Sequence, residues 1–320
     1  MRFAFALCLI FSAAAADRVV LDAHNCYPYD GKYQDRIDGA LKTGLPLAIE
    51  QDLAWYVDPT TGEGRSVLIH GGKPNGTEPN MRDYFFERIR PIVEKALQDN
   101  ERDRWPLITL NLDFKTNEPA HHQAVLKLLT EYQAWLTTAP RTATPAMKEP
   151  LDWKPVLVLT GASAMQEQTF HDAVPVDGRL LLFGGGAVTT ASANTPIEDL
   201  MPQPSTNYRR WLNAPWAIVE LGGQAKAGDW SAADEERLKA IMARARQLGY
   251  AMRLYTLNGH EPAVGVAAGW SAGYNFGSRD AVELRWKAAV EAGVDYLATD
   301  QYEEFAPFVE ESKRRPIGLQ

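Results

Sequence analysis

Along nearly its whole length the chain alternates short apolar runs with stretches of helical spacing. Residues 19–24, 49–53, 107–115, 156–159, 180–183, 217–221, 252–257 and 294–298 read as strands. Between and after them, helical spacing covers 33–41, 81–97, 119–136, 164–173, about 197–212, 231–248, 279–292 and 303–313. Pro91 falls inside the second of these and predicts a kink. Ser231 is placed as the N-cap of the longest clean helix, with Asp234 completing a capping-box-like start. Strands that are apolar throughout, each followed by a helix, belong to a parallel sheet covered by helices. With eight such units, the economical architecture is one closed (βα)8 TIM barrel, and an open doubly wound sheet is second. Neither GxGxxG nor GxxxxGK[ST] follows the first strand, which weakens the second choice.

At 320 residues the chain is longer than the ~250 typical of such a barrel, yet still consistent with one domain, placed at 17–320. The net charge of -8 excludes the basic stripe of a nucleic-acid binder and any general attraction to anionic lipid. Residues 1–16, MRFAFALCLIFSAAAA, carry one positive charge, an apolar run and a small-residue exit. That is the pattern of a secretory signal peptide cleaved before Asp17, so a secreted or periplasmic protein without stable membrane insertion is expected. Cleavage would leave Cys26 without a disulfide partner, and a monomer is the expected state.

Within the second strand, Glu50 and Asp52 stand two residues apart and leave it on the same side. Two like charges on one buried face call for a cation between them, and hard oxygen ligands suit Mg2+ or Ca2+. His24 and Asn25 close the first strand, and Asp113 and Lys115 lie on one face of the third. The turn cluster at 58–64 sends the chain back through 66–70, which carries His70 towards the carboxylates. Glu220, Asn258 and Asp300 fall at later strand ends. Catalytic groups of a barrel of this kind collect at the carboxyl ends of the strands.

In their order and spacing these residues resemble the PLC-like phosphodiesterase superfamily. The His24-Asn25 pair resembles the start of phosphatidylinositol-specific phospholipase C. Glu50-x-Asp52 followed by Ile69-His70-Gly71 resembles the motif shared by glycerophosphodiester phosphodiesterases and sphingomyelinase D-type enzymes. Asp113-Phe114-Lys115 is similar to their acidic-x-Lys motif, and residues 253–258 and 293–300 are similar to the last two strands of glycerophosphodiesterases. Here Asn25-Cys26 stands where a glycerophosphodiesterase has Arg-Gly, and no Glu-Asn-Thr precedes Gly44.

The resemblance implies a metal-dependent phosphoric diester hydrolase acting on a small phosphodiester or phospholipid. It makes His24 the general base and His70 the general acid, two roles that can be exchanged, with Lys115 stabilising charge. It makes Glu50, Asp52, Asp113 and Asn25 the metal ligands. Glu220, Tyr255, Asn258 and Trp270 are expected to contact substrate, the last from a glycine-punctuated loop over 258–277 read as a lid. A glycoside hydrolase using two of Glu50, Asp52 and Glu220, or a binding protein with a decayed site, are the alternatives.

Overall fold

The computed structural model describes residues 19–28, 34–188, 192–220, 228–268 and 272–312. The expected signal at 1–16 and the candidate Trp270 lie outside the described residues.

In chain order the elements are β1 (Val20–Ala23), α1 (Arg36–Lys42), β2 (Leu47–Val57), β3 (Gly64–Leu68), α2 (Glu87–Asp99), β4 (Ile108–Phe114) and α3 (Pro119–Glu131). Then come β5 (Ala139–Pro140), β6 (Val156–Thr160), α4 (Ala164–Glu167), β7 (Arg179–Leu180), β8 (Phe183–Gly185), α5 (Ile197–Leu200) and β9 (Arg209–Pro215). The chain finishes with α6 (Ala232–Gln247), β10 (Ala251–Tyr255), α7 (Pro262–Ala268), α8 (Arg279–Ala292), β11 (Tyr296–Thr299) and α9 (Tyr302–Ser312). The parallel order β1-β2-β4-β6-β8-β9-β10-β11 closes on itself, because β1 pairs with both β2 and β11. This is a single (βα)8 TIM barrel of eight parallel strands, with β3 added antiparallel to β2.

Burial explains most of these elements. Val20, Leu21, Ile49, Leu110, Val158, Leu254 and Leu297 are at most 2% exposed, so the strands have no solvated face to alternate with. Ser231 caps α6 through Asp234 N–H, and the Asp234 carboxylate returns to Ser231 N–H, completing the capping box. Pro91 sits inside α2, just after a π-type turn over Arg82–Phe86. Within β8, position 184 is glycine because a Cβ there would stand 2.4 Å from the Tyr208 ring. Glycine is what lets that ring close the barrel wall.

The sixth barrel strand is not the expected one. Residues 209–215 (RRWLNAP), placed at the edge of an irregular helix, form β9, whereas 217–221, expected as the strand, begins as a 3-10 turn over Trp216–Ile218. Ile218 and Val219 are fully buried, and a buried turn has the same apolar composition as a buried strand. The loop over 258–277 also departs from expectation, since it contains the helix α7 despite Gly265.

Candidate functional site

Parallel register puts the chemistry on one end of the barrel. Asp52 on β2 is the direct partner of Asp113 on β4, and Glu50 lies one side-chain repeat deeper. The carboxylates of Glu50, Asp52 and Asp113 offer ligand oxygens all within 4.8 Å of one another. β3 returns along β2, Ile69 N–H donates to Asp52 O, and His70 Nε2 comes to 4.0 Å from Asp52 Oδ2. The imidazole of His70 stays about half exposed at the rim.

His24 follows the last residue of β1, the strand that pairs with the deeper part of β2. Its Nε2 stands 3.5 Å from Glu50 Oε2, and its Nδ1 3.2 Å from Asp300 Oδ2. Asn25 takes a left-handed backbone conformation, φ 51°, which asparagine tolerates better than most residues. In that conformation its N–H donates to Glu50 Oε2 at 3.0 Å and its Nδ2 to Asp300 Oδ1 at 3.1 Å, while its Oδ1 accepts from Tyr27. Asp300 also accepts from Arg36 and from Asn258 Nδ2.

Below this layer Arg253 fills the barrel interior. It donates to Asp22 at 2.5 Å, to Glu50 at 3.1 Å and to Asn213 at 2.9 Å, and both it and Asp22 are 1% exposed. Lys115 reaches the upper layer, placing Nζ 2.9 Å from Asp52 and 2.7 Å from Asp113.

The charge balance is uneven. Burial, with Glu50 and Asp113 alongside, pushes Asp52 up to about 8 against the pull of Lys115. Burial would also raise Glu50, but Arg253 and His24 hold it below the usual carboxylate range. Burial would lower His24, yet Glu50 and Asp300 outweigh it and raise this imidazole to about 9. His70 is lowered, by burial first and then by Lys115 and His24. These shifts favour a protonated His24 and a neutral His70 near neutral pH.

The donor set fits a divalent cation. Asp52 Oδ1 is buried without a hydrogen-bond partner, in a side chain 1% exposed, and it belongs to the same three-carboxylate cluster. Hard oxygen donors of this kind suit Mg2+ or Ca2+.

The structure brings His24, Asn25, Glu50, Asp52, His70, Asp113, Lys115 and Tyr255 around one cavity of about 100 Å3. Two other expected contacts are elsewhere. Glu220, expected to touch substrate, is 2% exposed and does not line the cavity; Arg285 and the Trp216 indole take up its carboxylate. Asn258 is buried, and its amide holds Asp300 and Thr299. Asn213 and Arg253, not among the expected contacts, also line the cavity, as does Tyr274 from the loop expected to act as a lid. Tyr274 arrives from the segment after α7, which is clipped to Asn258 by two backbone hydrogen bonds, and its ring meets His24 edge-on at 5.7 Å.

No protein-family model and no curated protein matches the chain. Solved structures similar to it include the 7,8-dihydropteroate synthase of Vibrio fischeri, at 11% identity and TM-score 0.41 over 92% of both chains. Dihydropteroate synthase from Clostridium difficile is similar at 12% identity and TM-score 0.38, over 92% of this chain and 95% of that one. Plasmodium falciparum HPPK-DHPS with pteroate follows at 9% identity and TM-score 0.44, over 92% of this chain and 48% of that one. The chain spans about half the length of the Plasmodium proteins.

These comparisons correct the expected activity. The structures compared are dihydropteroate synthases and not phosphoric diester hydrolases, so the assignment as a phospholipase C-like or glycerophosphodiesterase-like hydrolase of lipid metabolism is withdrawn. At these identities and TM-scores the likeness carries no substrate across, and the barrel rests on the strand pairing itself. Among the described residues no helix is long and apolar enough to cross a membrane.

Proposed function

We propose that the chain is a metal-dependent enzyme performing acid–base chemistry on a small anionic substrate at the carboxyl-terminal mouth of its barrel. The observation that carries this reading is the cluster of Glu50, Asp52 and Asp113, with one oxygen of Asp52 buried and unpartnered. Mg2+ or Ca2+ bound there would supply Lewis-acid stabilisation of developing negative charge. The chain's own groups do the rest. His24 stands beside Glu50 and His70 beside Asp52, and both can hold and release protons. Asn25 N–H and Arg253 fix Glu50, and Tyr27 together with Lys115 fixes Asp52. Tyr274 and Tyr255 wall the mouth, so the substrate's reacting part is small. The order of the strand-end motifs supports a distant relation to the PLC-like superfamily, taken only as far as a metal-dependent acid–base site.

Calorimetric titration of chelator-stripped protein with Mg2+ and with Ca2+ tests the reading. One saturable site per chain is expected, weakened tenfold or more in Asp52→Asn. Absence of saturable binding, or equal binding by the variant, overturns it. Export through cleavage after residue 16 is proposed alongside, and a secreted or periplasmic product whose mass does not begin at Asp17 would refute that part.

A further inference from the structure

The ammonium of Lys115 stands between the two outer carboxylates of the cluster. Its Nζ is 2.9 Å from Asp52 Oδ2 and 2.7 Å from Asp113 Oδ2, two of the groups that a divalent ion would need. Those two contacts make Lys115 a competitor for the ion as well as a neighbour of it. A point charge on a flexible four-carbon stem can leave such a position without moving the backbone. Here the backbone is held, because Lys115 N–H donates to Leu53 O at 2.8 Å, while the side chain remains about a quarter exposed at the cavity rim.

The same two contacts keep the ammonium from an anion, because its charge is already shared between Asp52 and Asp113. A divalent ion seated between those carboxylates would release the ammonium into the same small cavity, which Lys115 lines.

We infer that Lys115 is a displaceable internal cation: a divalent ion takes its place between Asp52 and Asp113, and the freed ammonium then receives an anionic substrate, so that metal binds before anion. This rests on the metal-dependent reading of the site and adds to it an order of binding and a substrate charge. Linkage makes the two ligands reciprocal, so the anion must tighten the metal by the factor with which the metal tightens the anion.

The test is calorimetry on the full chain with Mg2+ and sulfate as probes, comparing wild type with Lys115→Met. Removing the competitor should tighten Mg2+ by between about 5- and 150-fold, the usual range of coupling between sites. Sulfate should bind wild type measurably only with Mg2+ present, and that dependence should vanish in Lys115→Met. If wild type binds Mg2+ and the variant binds it no more tightly, Lys115 is an ordinary ion-pair partner and the inference fails while the metal site stands. If neither protein binds Mg2+, the metal-dependent reading itself fails. Binding by the variant alone would mean that Lys115 bars the ion instead of yielding to it, and would overturn the inference. Lys115→Gln, shorter and also uncharged, gives the same comparison should Lys115→Met lose its native circular dichroism.

Discussion

Replacing Arg253 by methionine should unfold the barrel at a markedly lower temperature. The guanidinium joins Asp22 on β1, Glu50 on β2 and Asn213 on β9 from its own place on β10, with Asp22 and Arg253 each 1% exposed. Methionine keeps much of the volume and removes the charge, leaving two buried carboxylates without their main partner. Breaking a buried pair in this one-sided way costs about 3–5 kcal/mol. Unfolding entropy for a chain of this length is about 0.65 kcal/mol/K, so the midpoint should fall by roughly 5–8 °C.

The deficit should also depend on pH. Burial raises Asp22 even in the wild type, with Arg253 the strongest opposing charge. Without Arg253 the folded-state pKa rises further above its unfolded value. A group so raised contributes stability that is present below the unfolded pKa and lost as pH rises through the folded one. The gap between variant and wild type should therefore be widest near pH 7–8 and narrow towards pH 4. Thermal melts followed by circular dichroism across that range read both quantities. A melting point within about 1 °C of wild type at pH 7.5 would refute the reasoning, because it would mean that these charges are solvated.

Three further outcomes are expected. Burial lowers His121 to about 4, and its ring contacts Ser66 and Thr116, so stability should be lost as pH falls from about 6.5 towards 4, by up to roughly 3 kcal/mol; urea titrations of His121→Gln should show a shallower acid-side loss. Ser231→Ala should cost about 1 kcal/mol by removing the capping box of α6, read from the same denaturation midpoint. Glu220→Gln should destabilise the fold by weakening a buried pair with Arg285 yet leave Mg2+ affinity unchanged in calorimetry, whereas a substrate or metal role would move the affinity.

The barrel was legible because its strands are buried on both faces and announce themselves as apolar runs. Where that signal failed, packing had overridden it. β9 begins with Arg209 and Arg210, which are satisfied by Glu167 and by carbonyl groups, and it ends in Pro215; nothing local separates it from a turn. The helix α7 had one visible mark, proline at its first position, which its glycine obscured.

At the site, period-two spacing was enough to put Glu50 and Asp52 on one face, and strand order brought Asp113 beside them. Asp22 and Arg253 left a usable sign, a charge in the middle of an apolar strand, whose only low-cost partner is another charge inside the barrel. Glu220 and Asn258 sit at ends of apolar runs much as the site residues do, and only tertiary contacts show that Arg285 and Asp300 claim them. Tyr274 lies in the glycine-punctuated loop read as a lid, and its place beside His24 depends on the clip between its segment and Asn258.

A crystal soaked in Mn2+ and measured at the manganese absorption edge tests the central claim most directly. The account predicts an anomalous peak in contact with carboxylate oxygens of Glu50, Asp52 and Asp113, with Lys115 no longer bridging Asp52 and Asp113. A cluster without a peak at saturating Mn2+, or a peak held by other residues alone, would contradict it.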